Sequence, residues 1–275
     1  MSDVRIVSIL AATMCLAGCG GSAEADARPT VVVGLYPLAW AAERVTGAEF
    51  RLVNLTAAGA EPHDLELSPR DVEAIRDAEL VVFVGRGFQP AVEDAVESRE
   101  GPSLDLVHKS EDPHIWLNPV RFSNAVERIA QEVGGTGSVH GVMGELKRLD
   151  VEYRSGLADC ERDVIVTTHA AFGQLARRYG LGELSLAGRT PEAEPSPREL
   201  EQLIDSVRAS GATTVFAEPL VSDEVAETVA REAGVMVATL DPIEGLSEER
   251  LEAGEDYVSV MRSNLAALRK ALGCR

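Results

Sequence analysis

Positive charge is what this chain most lacks. Its 26 Lys and Arg face 45 Asp and Glu, for a net charge of −19 over 275 residues. Such a field repels polyanions, which argues against nucleic acid as a partner and against electrostatic docking on anionic lipid. Aromatic residues make up only 4%, too few for a platform on which bases stack. No His-Glu-x-x-His and no Gly-x-Ser-x-Gly occurs, so the short signatures of zinc proteases and serine hydrolases are missing. Beyond the N-terminus, no apolar stretch is long enough to cross a bilayer. What is present is ordinary globular composition, 45% hydrophobic and 26% charged. That excludes disorder and fits one large or two medium domains.

The apolar run Ile6–Gly18 is too short to span a membrane but suits the core of a signal peptide. It is followed by Leu16-Ala17-Gly18-Cys19, which looks like a lipobox. On that resemblance residues 1–18 are removed and Cys19 carries lipid. Residues 19–29 then form a flexible tether, and the lipid is the sole membrane contact. Ordinary cleavage near Ala25-Asp26-Ala27 is the alternative. Either route places the protein outside the cytoplasm, on the outer face of the cell membrane or in a periplasm. Of four cysteines, Cys15 leaves with the signal and Cys19 is modified. In an exported protein the remaining Cys160 and Cys274 are expected to form a disulfide, two buried thiols being the alternative. Closing that loop stabilises by about 4–5 kcal/mol in the chain-entropy model.

From Thr30 onward, β-rich runs alternate with helical patterns. Strands are expected at Thr30–Gly34, Phe50–Leu55, Leu80–Val84, Ser103–Val107, Asp163–Thr168, Glu183–Ala187, Thr213–Ala217 and Val235–Leu240. Several are continuous apolar runs, as in parallel sheets covered on both faces. Helices are expected at Asp71–Ala78 and Glu199–Ser210, each opened by a similar tetrapeptide, Ser68-Pro69-Arg70-Asp71 and Ser196-Pro197-Arg198-Glu199. Each tetrapeptide has a capping Ser, Pro at the first helical position and an acid three residues after the Ser. This echo suggests two related halves. Between them Val142, Leu146, Leu149, Tyr153 and Leu157 keep helical spacing over Val139–Ala158. The fold class is therefore α/β, with two lobes, each a mostly parallel sheet flanked by helices, joined by one long rigid helix. The expected boundaries are 30–137 for the N-terminal lobe, 138–160 for the linking helix and 161–275 for the C-terminal lobe.

Only five histidines occur, and three stand in suggestive places. His63 follows the second expected strand, in Glu61-Pro62-His63-Asp64. His114 lies in Asp112-Pro113-His114-Ile115-Trp116, and His169 directly follows Asp163–Thr168. Asp241-Pro242 directly follows Val235–Leu240. Ligands of open α/β sheets bind outside the carboxyl ends of the strands, where these residues fall. Three neutral imidazoles and one carboxylate make an N3O shell that suits Zn²⁺, whereas Mn²⁺ favours more oxygen. A carboxylate in the fourth place also closes the shell to the water a hydrolase needs. His108 and His140 lack such settings.

The segments EPHDLELSP, DPHIWLNP, VTTHAAFGQLA, VFAEPLVS and TLDPIEGL together resemble the solute-binding lipoproteins of zinc and manganese ABC importers, the TroA-like family. The resemblance runs from about residue 30 to the C-terminus. It implies a metal held between the lobes by His63 and His114 from the first and His169 and Asp241 from the second. It also implies delivery to an ABC permease driven by an ATPase. Manganese members usually carry Glu at the third position, so His169 points to zinc, with manganese or broad divalent binding as the alternative. The family's C-terminal cysteine pair agrees with Cys160–Cys274. Glu218 is the alternative ligand or a partner of one, and Trp116 and Phe172 are expected to wall the pocket. Two features depart from the family pattern. Arg86–Lys109 is short and has only His108 where many zinc members carry a His-rich loop. Asn118 stands where Asp is common, keeping an acceptor near the site but losing a charge. A monomeric, non-enzymatic receptor is expected, ahead of a zinc hydrolase using Glu218 as base and of an adhesin.

Overall fold

The structure is a computed structural model and describes residues 27–107, 112–134, 138–188 and 195–275. The expected signal segment, the expected lipidation site Cys19, and His108 lie outside the described residues.

The N-terminal lobe runs β1 (Thr30–Val33), α1 (Tyr36–Thr46), β2 (Arg51–Asn54), α2 (Pro69–Asp77), β3 (Leu80–Phe83), α3 (Pro90–Glu97), β4 (Ser103–Asp105) and α4 (Pro119–Glu132). The long helix α5 (Val139–Gly156) follows. The C-terminal lobe runs β5 (Val164–Thr167), α6 (Gly173–Tyr179), β6 (Gly182–Ser185), α7 (Pro197–Ser210), β7 (Thr214–Ala217), α8 (Glu224–Ala233), β8 (Met236–Thr239), α9 (Glu248–Glu252) and α10 (Tyr257–Leu272). Each expected strand is present and trimmed by one or two residues, β6 also beginning one residue earlier than expected, at Gly182. Both sheets are parallel throughout, ordered β2-β1-β3-β4 and β6-β5-β7-β8. The second order repeats the first, as the sequence echo suggested. The echo itself has one physical form. Ser68 and Ser196 each accept from the backbone N–H three residues on, while Asp71 and Glu199 reach back to the serine N–H.

The period-2 geometry of the central strands divides their side chains between two cores. Val31 and Val33 of β1, with Leu80 and Val82 of β3, join the large inner core. Val32, Val81 and Phe83 point to a smaller outer one with Ile75 of α2. In the second lobe Ile165 and Phe216 face inward, whereas Val166, Val215 and Ala217 pack outward on Val207, Val229 and Ala230. The pattern breaks at one edge. Val235–Leu240 is apolar except for Thr239, yet Met236 and Val237 are 59% and 43% exposed, because among the described residues β8 closes the sheet with no neighbour beyond it.

The inner core is continuous across the lobes. Helix α10, the last of the C-terminal lobe, lies along α5, where Tyr153 Oη donates to the Met261 carbonyl (2.6 Å). At its start Tyr257 packs on Trp40 and Phe122 of the first lobe, with ring centroids 4.8 and 4.9 Å away. The linking helix is thus accompanied by a second bridge. Cys160 and Cys274 form the disulfide, 114 residues apart in sequence. It joins the start of the second lobe to its end.

Candidate metal centre

The strand ends deliver three histidines to one point. His63 comes from the loop after β2, His114 from the segment between β4 and α4, and His169 from the turn after β5. The fourth donor is Glu244, five residues past β8. One ligand atom from each of His63, His114, His169 and Glu244 can be chosen so that all four lie within 4.8 Å of one another. The Nε2 atoms of His63, His114 and His169 stand 3.6, 3.1 and 3.5 Å from Glu244 Oε1. Four ligands about 2.0–2.1 Å from a tetrahedral ion are spaced about 3.3–3.4 Å apart. All four of these atoms are buried and make no well-directed hydrogen bond. Buried polar atoms are nearly always paired, so four orphans converging at ligand spacing mark a cation site.

Asp241 does not join them. Its Oδ2 is bound by Arg250 Nη1 (2.7 Å), and its Oδ1 accepts the Ile243 N–H (2.7 Å). That second bond helps hold an unusual turn, in which Ile243 has φ +59°. A β-branched residue in the left-handed region is a genuine outlier, of a kind costing of order 1–3 kcal/mol. The turn brings Glu244, three residues beyond the expected ligand, to the histidines. Asn264 pins the same segment from α10, accepting from the Asp241 N–H (2.9 Å) and donating to its carbonyl (2.6 Å).

The imidazoles differ in support. His169 Nδ1 lies 2.7 Å from Glu218 Oε2, and Glu218 Oε1 also accepts from the His169 backbone N–H (3.2 Å) and from the Thr168 hydroxyl. Glu218 is therefore the carboxylate behind a ligand, and it stands outside the four converging atoms. His114 Nδ1 lies 3.0 Å from Asp112 Oδ1. Such partners fix the ring and tautomer and raise ligand basicity. His63 has no such brace at Nδ1 and rests instead on Phe88, with ring centroids 4.3 Å apart.

Trp116 lies 5.3 Å from the His114 ring, and its Nε1 donates to the Pro242 carbonyl of the other lobe (2.7 Å). Phe172 is buried in the core and makes no ring contact with the histidines among the described residues. The wall aromatic is Phe88, which sequence reasoning missed. It sits in a turn of Arg86 and Gly87 with no pattern around it. Asn118 is the N-cap of α4, accepting from Val120 and Arg121 N–H (3.1 and 3.3 Å), so its acceptor serves the helix and not a ligand.

Burial disfavours charge at the centre, but the pairings outweigh it. Glu218 and Glu244 hold His169 up to about 10. Asp112 and Glu244 raise His114, and the three imidazoles hold Glu244 well below the usual carboxylate range. Burial and the Glu244 charge push Glu61 up to about 7. A cleft of about 530 Å³ opens beside the centre, lined by Glu61 and Asp64 of one lobe and by Thr168, Leu220 and Glu224 of the other.

A family model described as zinc-uptake complex component A, periplasmic, matches residues 31–271. The chain belongs to that family. Among its relatives is the zinc-binding protein AdcA of Streptococcus pyogenes serotype M1, 32% identical over 89% of this chain and 56% of the relative. The chain thus spans just over half the length of that protein. The high-affinity zinc uptake system protein ZnuA of Bacillus subtilis is 28% identical over 96% of both chains. Among solved structures, the Zn(II)-bound ZnuA-like domain of Streptococcus pneumoniae AdcA has a TM-score of 0.75 at 31% identity, over 89% of this chain and 99% of that one. The laminin-binding protein Lmb of Streptococcus agalactiae, titled an adhesin with metal-transporting activity, has a TM-score of 0.80 at 29% identity, over 89% and 99%. The family is one of solute-binding receptors, and its members share the two-lobed fold described above.

Proposed function

We propose that this protein is the extracytoplasmic receptor of a zinc ABC importer. It captures Zn²⁺ on His63, His114, His169 and Glu244 and hands it to a membrane permease worked by an ATPase. The single observation that carries the reading is the set of four buried ligand atoms that make no well-directed hydrogen bond, all within 4.8 Å of one another and with the three imidazole nitrogens 3.1–3.6 Å from Glu244 Oε1. Family membership and a zinc-bound neighbour of the same fold support it. The N3O composition favours zinc over manganese. It favours a receptor over a hydrolase, because Glu244 fills the place a reactive water needs and Glu218 is engaged on His169 and Thr168. The rest of the reading is a monomer anchored through lipid on Cys19 or free in a periplasm. Its lobes comprise residues 30–137 and 161–275, and residues 138–160 form the link.

Metal content and competitive titration on the chelator-stripped domain test the proposal. One tight equivalent of zinc is expected, lost in His169→Ala and not displaced by excess manganese. Manganese binding as well as zinc would replace this reading with a broad divalent-metal receptor.

A further inference from the structure

Asp112 belongs to the first lobe, two residues before His114, yet it also takes partners from the second. Its Oδ1 accepts the His114 backbone N–H (3.2 Å) and lies 3.0 Å from the ring Nδ1. Its Oδ2 accepts from Arg177 Nη2 (2.8 Å), and its carbonyl accepts from Gln174 Nε2 (2.9 Å). Arg177 and Gln174 are both on α6, the helix that begins four residues after His169. The carboxylate also fits against the backbone of Gly173, where a Cβ would stand 2.8 Å from Asp112 Oδ2. Helix α6 is in turn fixed to the linking helix. Arg178 donates twice to the buried Asp150 of α5 (2.9 Å each), and Tyr179 Oη donates to the same carboxylate (3.3 Å).

We infer that Asp112 is an inter-lobe latch: Arg177 and Gln174 are positioning residues that hold its carboxylate against His114, so that the orientation of a first-lobe ligand depends on contact with the second lobe. A ring whose Nδ1 bond is fixed loses less freedom on binding a metal at Nε2. While α6 is seated, His114 is ready. When the lobes part, Asp112 loses the partners that fix it, and the ring is released with it. Metal capture and lobe contact are thereby one event. The inference rests on the proposed zinc site, because it requires His114 to bind the metal.

Arg177 is 63% exposed at its side chain, so its replacement leaves the fold intact. Gly173→Ala tests the latch from the other side. Alanine favours the helix, while its Cβ displaces Asp112. Zinc affinity and the rate of zinc release are measured for wild type, Arg177→Ala, Arg177→Lys and Gly173→Ala, with the exposed Arg231→Ala of α8 as the charge control. Melting of each metal-free variant is recorded alongside. Arg177→Ala and Gly173→Ala are expected to speed release about fivefold or more at unchanged metal-free melting temperature. Arg177→Lys should recover most of the loss, and Arg231→Ala should match wild type. Release at the wild-type rate in Arg177→Ala, or an equal loss in Arg231→Ala, overturns the latch. His114→Ala separates the two readings: if it leaves zinc affinity unchanged, the proposed site itself is wrong and the latch falls with it.

Discussion

The two lobes share a strand order but build their halves of the centre differently. The second lobe is the more self-contained, although its Glu244 turn also takes one bond from the first, from Trp116 Nε1 to the Pro242 carbonyl. Glu218 braces His169 from within the lobe, and Glu244 rides a turn held by Asp241, Arg250 and Asn264. The first lobe is dependent. His114 is held by a carboxylate that the other lobe secures, whereas the His63 ring has an aromatic neighbour but, among the described residues, no carboxylate at Nδ1, Glu61 accepting only its backbone N–H (3.3 Å). A half-site finished within one lobe keeps its geometry whatever the other lobe does. A half-site finished across the interface forms only when the lobes meet. On the proposed latch, the second lobe would be the standing half of the site and the first the closing half.

The largest test of this contrast is removal of ligands. His169→Ala and Glu244→Ala should each weaken zinc binding by about a hundredfold or more, beyond the 10–100-fold typical of outer-shell changes. His63→Ala should cost less than either, measured by competition against a chromophoric chelator. Equal losses at all positions would erase the distinction between the lobes. Asp241→Asn should cost less than Glu244→Gln, since it acts only through the turn.

Protonation should follow next in size. In the metal-free protein His169 is held up to about 10, above its ordinary value. Its pairing with Glu218 and Glu244 thus stabilises the fold fully below the ordinary histidine range and fades as pH rises through about 10. Zinc must expel that proton, so apparent affinity should rise with pH between 6 and 8, by about tenfold per unit for each proton released. Calorimetry in buffers of different ionisation enthalpy counts those protons. None released would show that the imidazoles are already neutral.

The disulfide sharpens the contrast in stability, because it encloses the second lobe alone. Replacing both Cys160 and Cys274 by Ser should destabilise by about 2–5 kcal/mol, seen as a lower melting temperature, with zinc stoichiometry kept at one. The smallest effects compare equivalent positions. Ser68→Ala and Ser196→Ala each remove one capping box and should cost about 1 kcal/mol apiece in denaturant unfolding.

Much of this was legible in the sequence, for local reasons. Apolar runs bounded by turn residues located all eight strands. The Ser-Pro-Arg-acid echo fixed two helix starts, and proximity to strand ends singled out His63, His114 and His169. The fourth candidate ligand, Glu244, lies three residues past the acid the sequence pointed to. A strand-end rule selects the first acid, Asp241, and nothing local shows that Ile243 turns left-handed and carries Glu244 inward. Asn118 was misread because an Asn before Pro119 serves a helix start as readily as a site. Phe88 and the reach of Asp112 to α6 are tertiary facts, made by chain segments 25 and 65 residues from their partners.

The raised imidazoles also bear on what a partner meets. With His114 and His169 both raised beside the Glu244 carboxylate, protons hold positive charge where the proposed dication would sit. Capture then exchanges positive charge for positive charge at the cleft and does not simply add it to a strongly acidic surface. The electric field outside the cleft changes less than the arrival of two charges would suggest. On the proposed function, a membrane permease that must tell the loaded form from the empty one would be left to read shape.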